Sequence, residues 1–192
     1  MAVEQTWSSS GSAGKDGFSV KVNGIDELKR ALADLPRKLR RTVLIKALRA
    51  GARVVQKAAR ARIPTLMMPV QYRTKGLLKR RLTVRVSKES RLHGDVGVFV
   101  NIKPAAKGQR GAKSAVDPYY WRFVNWGTGP HKITTKVAKN LRFGNLYAKS
   151  VNHPGTKGAR FMEAGAEALP AALAAFEREA VPAIEALNQR GA

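Results

Sequence analysis

Apolar positions near the start of the chain predict one strand followed by two helices. Phe18, Val20 and Val22 alternate with polar residues, a pattern typical of a half-buried strand. Residues 26–35 and about 38–62 instead carry apolar side chains every three or four positions, which predicts two amphipathic helices. A proline follows each of these segments and is expected to end the helix.

The second of these helices has an apolar face and a basic face. The basic face, a name kept below for this set, consists of Lys46, Arg49, Arg53, Lys57 and Arg60. Gly51 lies within the apolar face, and a glycine there indicates that another backbone approaches closely. The basic face itself fits phosphate binding.

Further along the chain the hydrophobic period changes from helical to two. Leu82–Val86 and Asp95–Asn101 alternate apolar with polar residues, which predicts an antiparallel pair joined by a turn near His93. Three more short strands are expected at 131–135, 141–143 and 147–151.

The pattern divides the chain into a tail and one domain. Residues 1–17 are rich in Ser and Gly, show no periodicity and are expected to form a flexible tail. Residues 18–192 are expected to form a single domain that ends in a long helix over about 161–184. Pro170 and Pro182 are expected to kink or divide that helix.

A long basic loop is expected at 103–116, as an insertion in the domain. It has no acidic and no aromatic residue, and its cations are Lys103, Lys107, Arg110 and Lys113. A loop of this length in a compact domain usually has a function or is disordered. Nothing in the loop is expected to be buried, and two interpretations stay open: a solvated surface loop, or a loop that contacts DNA or an acidic partner.

A dense aromatic run follows the loop. Its members are Tyr119, Tyr120, Trp121, Phe123 and Trp126. These side chains are interpreted either as ordinary core on a sheet face or as an inter-subunit seam, because five aromatics in ten residues exceed what one strand face can bury. Gly127 and Gly129 are expected to allow a turn with positive φ.

Composition and charge narrow the classes of function. The chain has 192 residues and a net charge of +23, of which residues 37–91 contribute +17, whereas residues 161–192 sum to −3. Such a lopsided chain is expected to work beside nucleic acid or an acidic protein surface. The absence of cysteine excludes disulfides and thiol catalysis, and no apolar stretch reaches membrane-spanning length, so a protein of a reducing compartment without membrane contact is expected.

No catalytic constellation can be assembled from the sequence. His93, His131 and His153 follow no metal-ligand spacing and are expected to be turn or strand-edge residues. Between Asp34 and Glu163 the carboxylates are few: Glu89, Asp95 and Asp117. We therefore expect no enzyme activity, no metal and no cofactor.

Several motifs in a fixed order carry a family resemblance. They are the segments 24–28, 47–52, 119–128, 153–157 and 159–162, which read GIDEL, ALRAGA, YYWRFVNWGT, HPGTK and ARFM. In this order they resemble the tail-completion, or head-to-tail joining, proteins of long-tailed bacteriophages, the tail-component family of lambdoid phages and prophages. The resemblance covers roughly residues 24 to 180.

The resemblance implies an α+β fold, a mostly antiparallel sheet packed against two N-terminal helices and a long C-terminal helix. It also implies a virion ring at the head–tail junction, with six subunits, contacts to the connector and tail-tube proteins, and no catalysis. The host cytoplasm is the expected site of assembly. Many members carry an acidic residue where this chain has Asn125. If that acid makes an inter-subunit salt bridge in them, the contact here must be a neutral hydrogen bond.

Contacts within such a particle can be assigned to particular residues. The expected inter-subunit or partner contacts are Trp7, Tyr119, Tyr120, Trp121, Phe123 and Trp126, and the expected DNA or acidic-partner contacts are Lys103, Lys107, Arg110 and Lys113. The basic segment 37–91 is expected to meet the acidic last helix of an adjacent subunit. The alternative function is a free nucleic-acid-binding protein that uses helix 38–62, and a nuclease is a third, disfavoured by the few carboxylates.

Overall fold

A computed structural model describes residues 3–6, 19–22, 37–65, 74–88, 96–135, 140–143 and 145–191. The helices of this part are α1 (Arg37–Arg62), α2 (Leu77–Arg81), α3 (Trp121–Trp126), α4 (Phe161–Glu167) and α5 (Leu169–Gly191). The helices and the short strands together make an α+β fold, as predicted. The helix expected at 26–35, the turn near His93 and the contact residue Trp7 lie outside the described residues.

Short antiparallel pairs account for the strands of the described residues. The strands are β1 (Val3–Thr6), β2 (Ser19–Val22), β3 (Leu82–Val86), β4 (Val98–Ile102), β5 (Gly127–Thr128), β6 (His131–Thr134), β7 (Leu141–Phe143), β8 (Leu146–Ala148), β9 (Ser150–His153) and β10 (Thr156–Lys157). They pair as β1 with β2, β3 with β4, β5 with β10, β6 with β9 and β7 with β8. The antiparallel pairing was predicted. Within the described ranges the pairs form five two-stranded units instead of one sheet.

The strand β1 lies in a segment to which the sequence pattern assigned no element. Val3–Thr6 runs antiparallel to β2, with Val3 opposite Val22 and Thr6 opposite Ser19. The predicted strand around Val20 is thus present, and its partner comes from residues 1–17. Backbone pairing of this kind requires no hydrophobic periodicity in the partner strand.

The pair β3–β4 follows the predicted alternation. Leu82 lies opposite Ile102 and Val84 opposite Val100, so the apolar side chains of both strands share one face. Leu82 and Ile102 are buried, whereas Arg85 and Phe99 are exposed on the other face. This pair covers one end of the core.

Helix α1 is the central element of the fold. Its first half packs on α5, where Ala47 forms a buried cluster with Ala180 and Ile184. Its second half packs on α4 and on β3, in a larger core around Ala59 and Phe161. The side chains of Gln56 and Arg60 donate hydrogen bonds to the Leu82 carbonyl oxygen, at 2.7 and 3.3 Å. These bonds tie the helix to the strand pair.

The C-terminal helix is divided, as the prolines predicted. Helix α4 ends at Glu167, and α5 begins at Leu169, one residue before Pro170. A proline is well tolerated in a first helical turn, since the amide hydrogens there have no intrahelical acceptor. Pro182 lies inside α5, which continues to Gly191.

The acidic C-terminal helix meets the basic helix within the same subunit. Helix α5 packs along α1, and Lys46 Nζ lies 2.9 Å from Glu179 Oε2. This ion pair lies within one subunit, and the expected contact between segment 37–91 and the last helix of an adjacent subunit stays a prediction. Among the described residues, no helix is both long and apolar enough to cross a membrane.

Candidate functional site

The aromatic run forms the short helix α3 and not the strand face that the sequence suggested. The Trp121 amide donates to the Pro118 carbonyl oxygen at 3.0 Å, and the Val124 amide donates to the Tyr120 oxygen at 3.2 Å. These are the contacts of a helical turn. Tyr120 is buried, and Tyr119 and Trp121 pack against the same core. These three side chains therefore contribute to the core within the subunit, and their expected contact with a neighbour stays a prediction.

Two members of the run remain exposed. Phe123 is 56% and Trp126 44% accessible to solvent. Residues three apart on a helix are neighbours on its surface, so the two rings lie on one side of α3. The Trp126 ring also lies 5.6 Å from the Trp121 ring, which connects it to the packed part of the run. Phe123 and Trp126 are called the aromatic surface below.

Asn125 connects α3 to the start of α4 inside the subunit. Its side chain is fully buried, and its Oδ1 accepts a hydrogen bond from the Met162 amide at 3.0 Å. Its Nδ2 donates to Glu163 Oε1 at 3.4 Å, and its backbone oxygen accepts from the Arg160 amide. The side chain thus satisfies one of the free amides at the start of α4, as an N-cap residue does.

All of these contacts of Asn125 are made within one subunit. Glu163 Oε2 is also buried and has no hydrogen-bond partner in the described part of the chain. The amide of Asn125 is therefore a donor that faces a buried carboxylate. No local sequence pattern could have revealed this role, because Asn125 and the start of α4 are far apart along the chain.

Gly127 and Gly155 lie where two backbone segments cross. Gly127 has φ of 81°, and a Cβ at this position would collide with the Thr156 carbonyl oxygen. Gly155 has φ of 93°, and a Cβ there would collide with the Thr128 oxygen. The expectation of positive φ is confirmed for Gly127 and is wrong for Gly129, which has open space around it.

The HPGTK tract, residues 153–157, brings Gly155 and β10 to this crossing. It supplies β10, which pairs with β5 in the register of Thr156 opposite Thr128. The tract locks the segment after α3 against the segment before α4. The crossing needs glycine at both position 127 and position 155. The segment 119–128 and the HPGTK tract, which supply these glycines, therefore depend on each other.

The basic loop 103–116 contains no helix or strand, as predicted, and it is organised around one buried carboxylate. Asp117 Oδ1 accepts a hydrogen bond from the Ala105 amide at 3.1 Å, and Oδ2 accepts one from the Gly111 amide at 2.8 Å. Arg110 Nε donates to the Ala105 carbonyl oxygen at 3.1 Å. Ala105 is buried, so the expectation that nothing in the loop is buried was wrong.

The loop still presents its positive charges to solvent. Lys103, Lys107, Arg110 and Lys113 are all exposed. The loop is also held to α2, because Arg81 donates to the Val116 carbonyl oxygen at 3.0 Å. The four cations thus stand on a backbone with a defined conformation.

Two of the three histidines lie next to each other. His131 and His153 are directly opposite in the β6–β9 register, and their rings are 5.0 Å apart. His131 Nδ1 lies 2.9 Å from the Gly129 oxygen, and His153 Nδ1 accepts from the Gly155 amide. Among the described residues, no group of three or more His, Cys, Asp or Glu could hold a metal ion. His93 lies outside the described residues.

The basic face of α1 points away from the core. All five of its cations are exposed. Lys46 pairs with Glu179, and Arg60 donates to the Leu82 oxygen. The side chains of Arg49, Arg53 and Lys57 have no hydrogen-bond or ion-pair partner within the described part of the chain. The helix therefore presents three uncompensated cations along one side.

Comparison with known proteins identifies the family. Residues 26–127 match the family described as "Bacteriophage HK97-gp10, putative tail-component". This segment is slightly more than half of the 192 residues, and it runs from before α1 to the first residue of β5. No curated protein and no solved structure matches the chain. The chain belongs to the HK97-gp10-like family of phage tail components.

Proposed function

We propose that this HK97-gp10-like protein is a subunit of a ring, with six copies as the family resemblance implies, at the head–tail junction of the virion. In this proposal it joins the head connector to the tail tube and performs no chemical reaction. Assembly takes place in the host cytoplasm, and the finished protein is part of the virion.

The observation that carries this proposal is the family match over residues 26–127, since a tail component must bind other structural proteins of the particle. The aromatic surface adds to it. Aromatic side chains are enriched at protein interfaces, and two of them on one side of α3 are 56% and 44% accessible in the isolated subunit. We assign Phe123 and Trp126 to the contact between subunits or with a partner ring. Trp7 stays a candidate for the same contact.

The basic loop is assigned to a second contact, with an acidic face of an adjoining ring or with DNA in the channel. Its four cations are exposed on a backbone that Asp117 holds in place. Changing Lys103, Lys107 and Lys113 to Ser is expected to leave the fold intact and to reduce head–tail joining or DNA retention. Arg110 is left unchanged because it bonds the loop backbone. Full infectivity of this variant would show that the loop is a solvated surface loop that contacts neither DNA nor an adjoining ring.

The proposal is tested by a reconstruction of the virion neck by electron cryo-microscopy. We expect density for this chain in copies related by rotation about the tail axis. The reconstruction is calculated without imposed symmetry. A closed ring repeats the same contact between neighbours, so its rotational symmetry is expected to be visible in that map. Single, asymmetric copies, or no copy in the neck, would contradict the proposal. The mass of the purified protein, measured separately, shows whether the ring forms before it meets its partners.

A further inference from the structure

We propose that the basic face of α1 binds the phosphate backbone of double-stranded DNA. Its cations follow one another at intervals of three or four residues, so they form one row that extends for about 21 Å along the helix. Helix α1 contains no acidic residue at all. Like charges at these spacings repel one another and destabilise a helix, so a bound polyanion would relieve the repulsion.

The surroundings of the row favour a nucleic acid over an acidic protein. A protein interface needs an apolar, desolvated centre. Among the described residues, the large hydrophobic side chains that are exposed lie outside α1: Phe99, Val116, Phe123, Trp126, Tyr147 and Val181. A row of cations with no exposed large hydrophobic side chain on its own helix suits phosphates, whose contacts with Lys and Arg need no apolar centre. Arg49 and Arg53 can each grip a phosphate with two hydrogen bonds.

The same surface favours a duplex and predicts binding without sequence preference. Proteins that hold single strands combine cations with aromatic side chains on which the bases stack. Helix α1 contains no aromatic residue. Contacts from the row would go to phosphates, which carry no sequence information. DNA binding by this row does not depend on ring formation, because a single subunit presents all of its cations.

The test measures binding of the full-length protein to a fluorescent mixed-sequence DNA duplex at several salt concentrations. The variant changes Arg49, Arg53 and Lys57 to Gln, which keeps good helix formers at exposed positions and removes three charges. Losing three phosphate contacts is expected to reduce the steepness of the plot of log affinity against log salt by about 2.7. At 0.1 M salt this corresponds to a loss of affinity of about 500-fold. Circular dichroism and the unfolding temperature are expected to match those of the unchanged protein.

The matched control removes the same charge elsewhere by changing Lys132, Lys149 and Lys157 to Gln. These three cations are also exposed, on or beside the β6–β10 region. The control is expected to lose far less affinity and to keep its salt slope. Equal losses in both variants would overturn the proposal, since net charge alone would then explain binding.

Two further outcomes distinguish DNA binding by α1 from docking of an acidic protein and from ring formation. If the α1 variant keeps its DNA affinity but fails to bind polyglutamate, the row serves an acidic protein and the proposal is wrong. A protein that binds DNA through α1 but never forms a ring would contradict the proposed function and leave DNA binding by α1 supported. The mass of the protein in solution and its DNA affinity are therefore measured on the same preparations.

Discussion

A Cβ atom at Gly51 of α1 would lie 2.7 Å from the carbonyl oxygen of Ala172 in α5. Real Cβ atoms do not approach a backbone oxygen so closely, so the two helices reach this separation only because residue 51 has no side chain. The contact lies where α1 and α5 pack together, close to the buried cluster around Ala47. The glycine that the apolar pattern singled out therefore sets the distance between the two longest helices of the described chain.

Changing Gly51 to Ala is expected to destabilise the protein by about 1–2 kcal/mol. The added methyl group meets a backbone oxygen that cannot turn aside, so the cost lies in the upper part of the overpacking range, at about 2–3 kcal/mol. The better helix propensity of Ala offsets about 1 kcal/mol of it. Urea unfolding measures the change. Gly129→Ala is the control, because a Cβ there meets nothing within 4 Å and the φ of Gly129 is not positive. A Gly51 variant as stable as its control would refute the close approach.

Changing Asn125 to Asp is expected to lower the free energy of unfolding by about 1–3 kcal/mol at pH 7, because a buried donor to Glu163 is replaced by a second carboxylate. The double variant with Glu163→Gln is expected to recover most of the stability. A double-mutant cycle by urea unfolding measures the coupling, and additive effects would show that the two side chains do not face each other.

Changing Asp117 to Ala is expected to loosen the basic loop. The amides of Ala105 and Gly111 lose a charged acceptor, and hydrogen bonds to a charged group each contribute about 1.5–3 kcal/mol. Hydrogen exchange at residues 105–111 is expected to accelerate by at least about tenfold, which corresponds to 1.4 kcal/mol. Lys113→Ala in the same loop is the control and is expected to change stability by less than about 0.5 kcal/mol. Unchanged exchange in the Asp117 variant would mean that other contacts hold the loop.

Changing Phe123 to Ser tests the aromatic surface. The ring is 56% exposed in the subunit, so its loss is expected to change the unfolding free energy by less than about 0.5 kcal/mol. If the ring is an interface anchor, association is expected to weaken by about 30-fold or more, the equivalent of 2 kcal/mol. Incorporation into particles measures this. Tyr147→Ser, at a side chain that is 64% exposed on β8, is the matched control. Equal incorporation of both variants would show that Phe123 is not part of the interface.

The sequence by itself determined the elements whose pattern lies within one segment. The 3.6-residue period predicted a helix over about 38–62, which α1 confirms, and the alternation at Leu82–Val86 specified β3 and its inward face. Gly51 was informative because a glycine in an apolar helix face has few other uses. The charge of each segment and the family resemblance were also properties of sequence alone.

The aromatic run shows where local pattern fails. A short apolar run fits a strand or a buried helix equally well, and this one is the helix α3. Which of its rings are buried depends on what packs against them, so Tyr120 became core and Phe123 became surface only in the folded chain.

The tertiary structure alone decided the contacts between segments that are distant in sequence. Asn125 reaches the amide of Met162, Asp117 reaches back to Ala105, and His131 meets His153 across two strands. Each contact joins a polar group to a backbone or side chain that folding brings near. The periodicity of hydrophobic residues in the sequence does not predict such contacts. Burial enforces the contacts of Asn125 and Asp117 physically, because a polar group removed from water must find a partner within the protein.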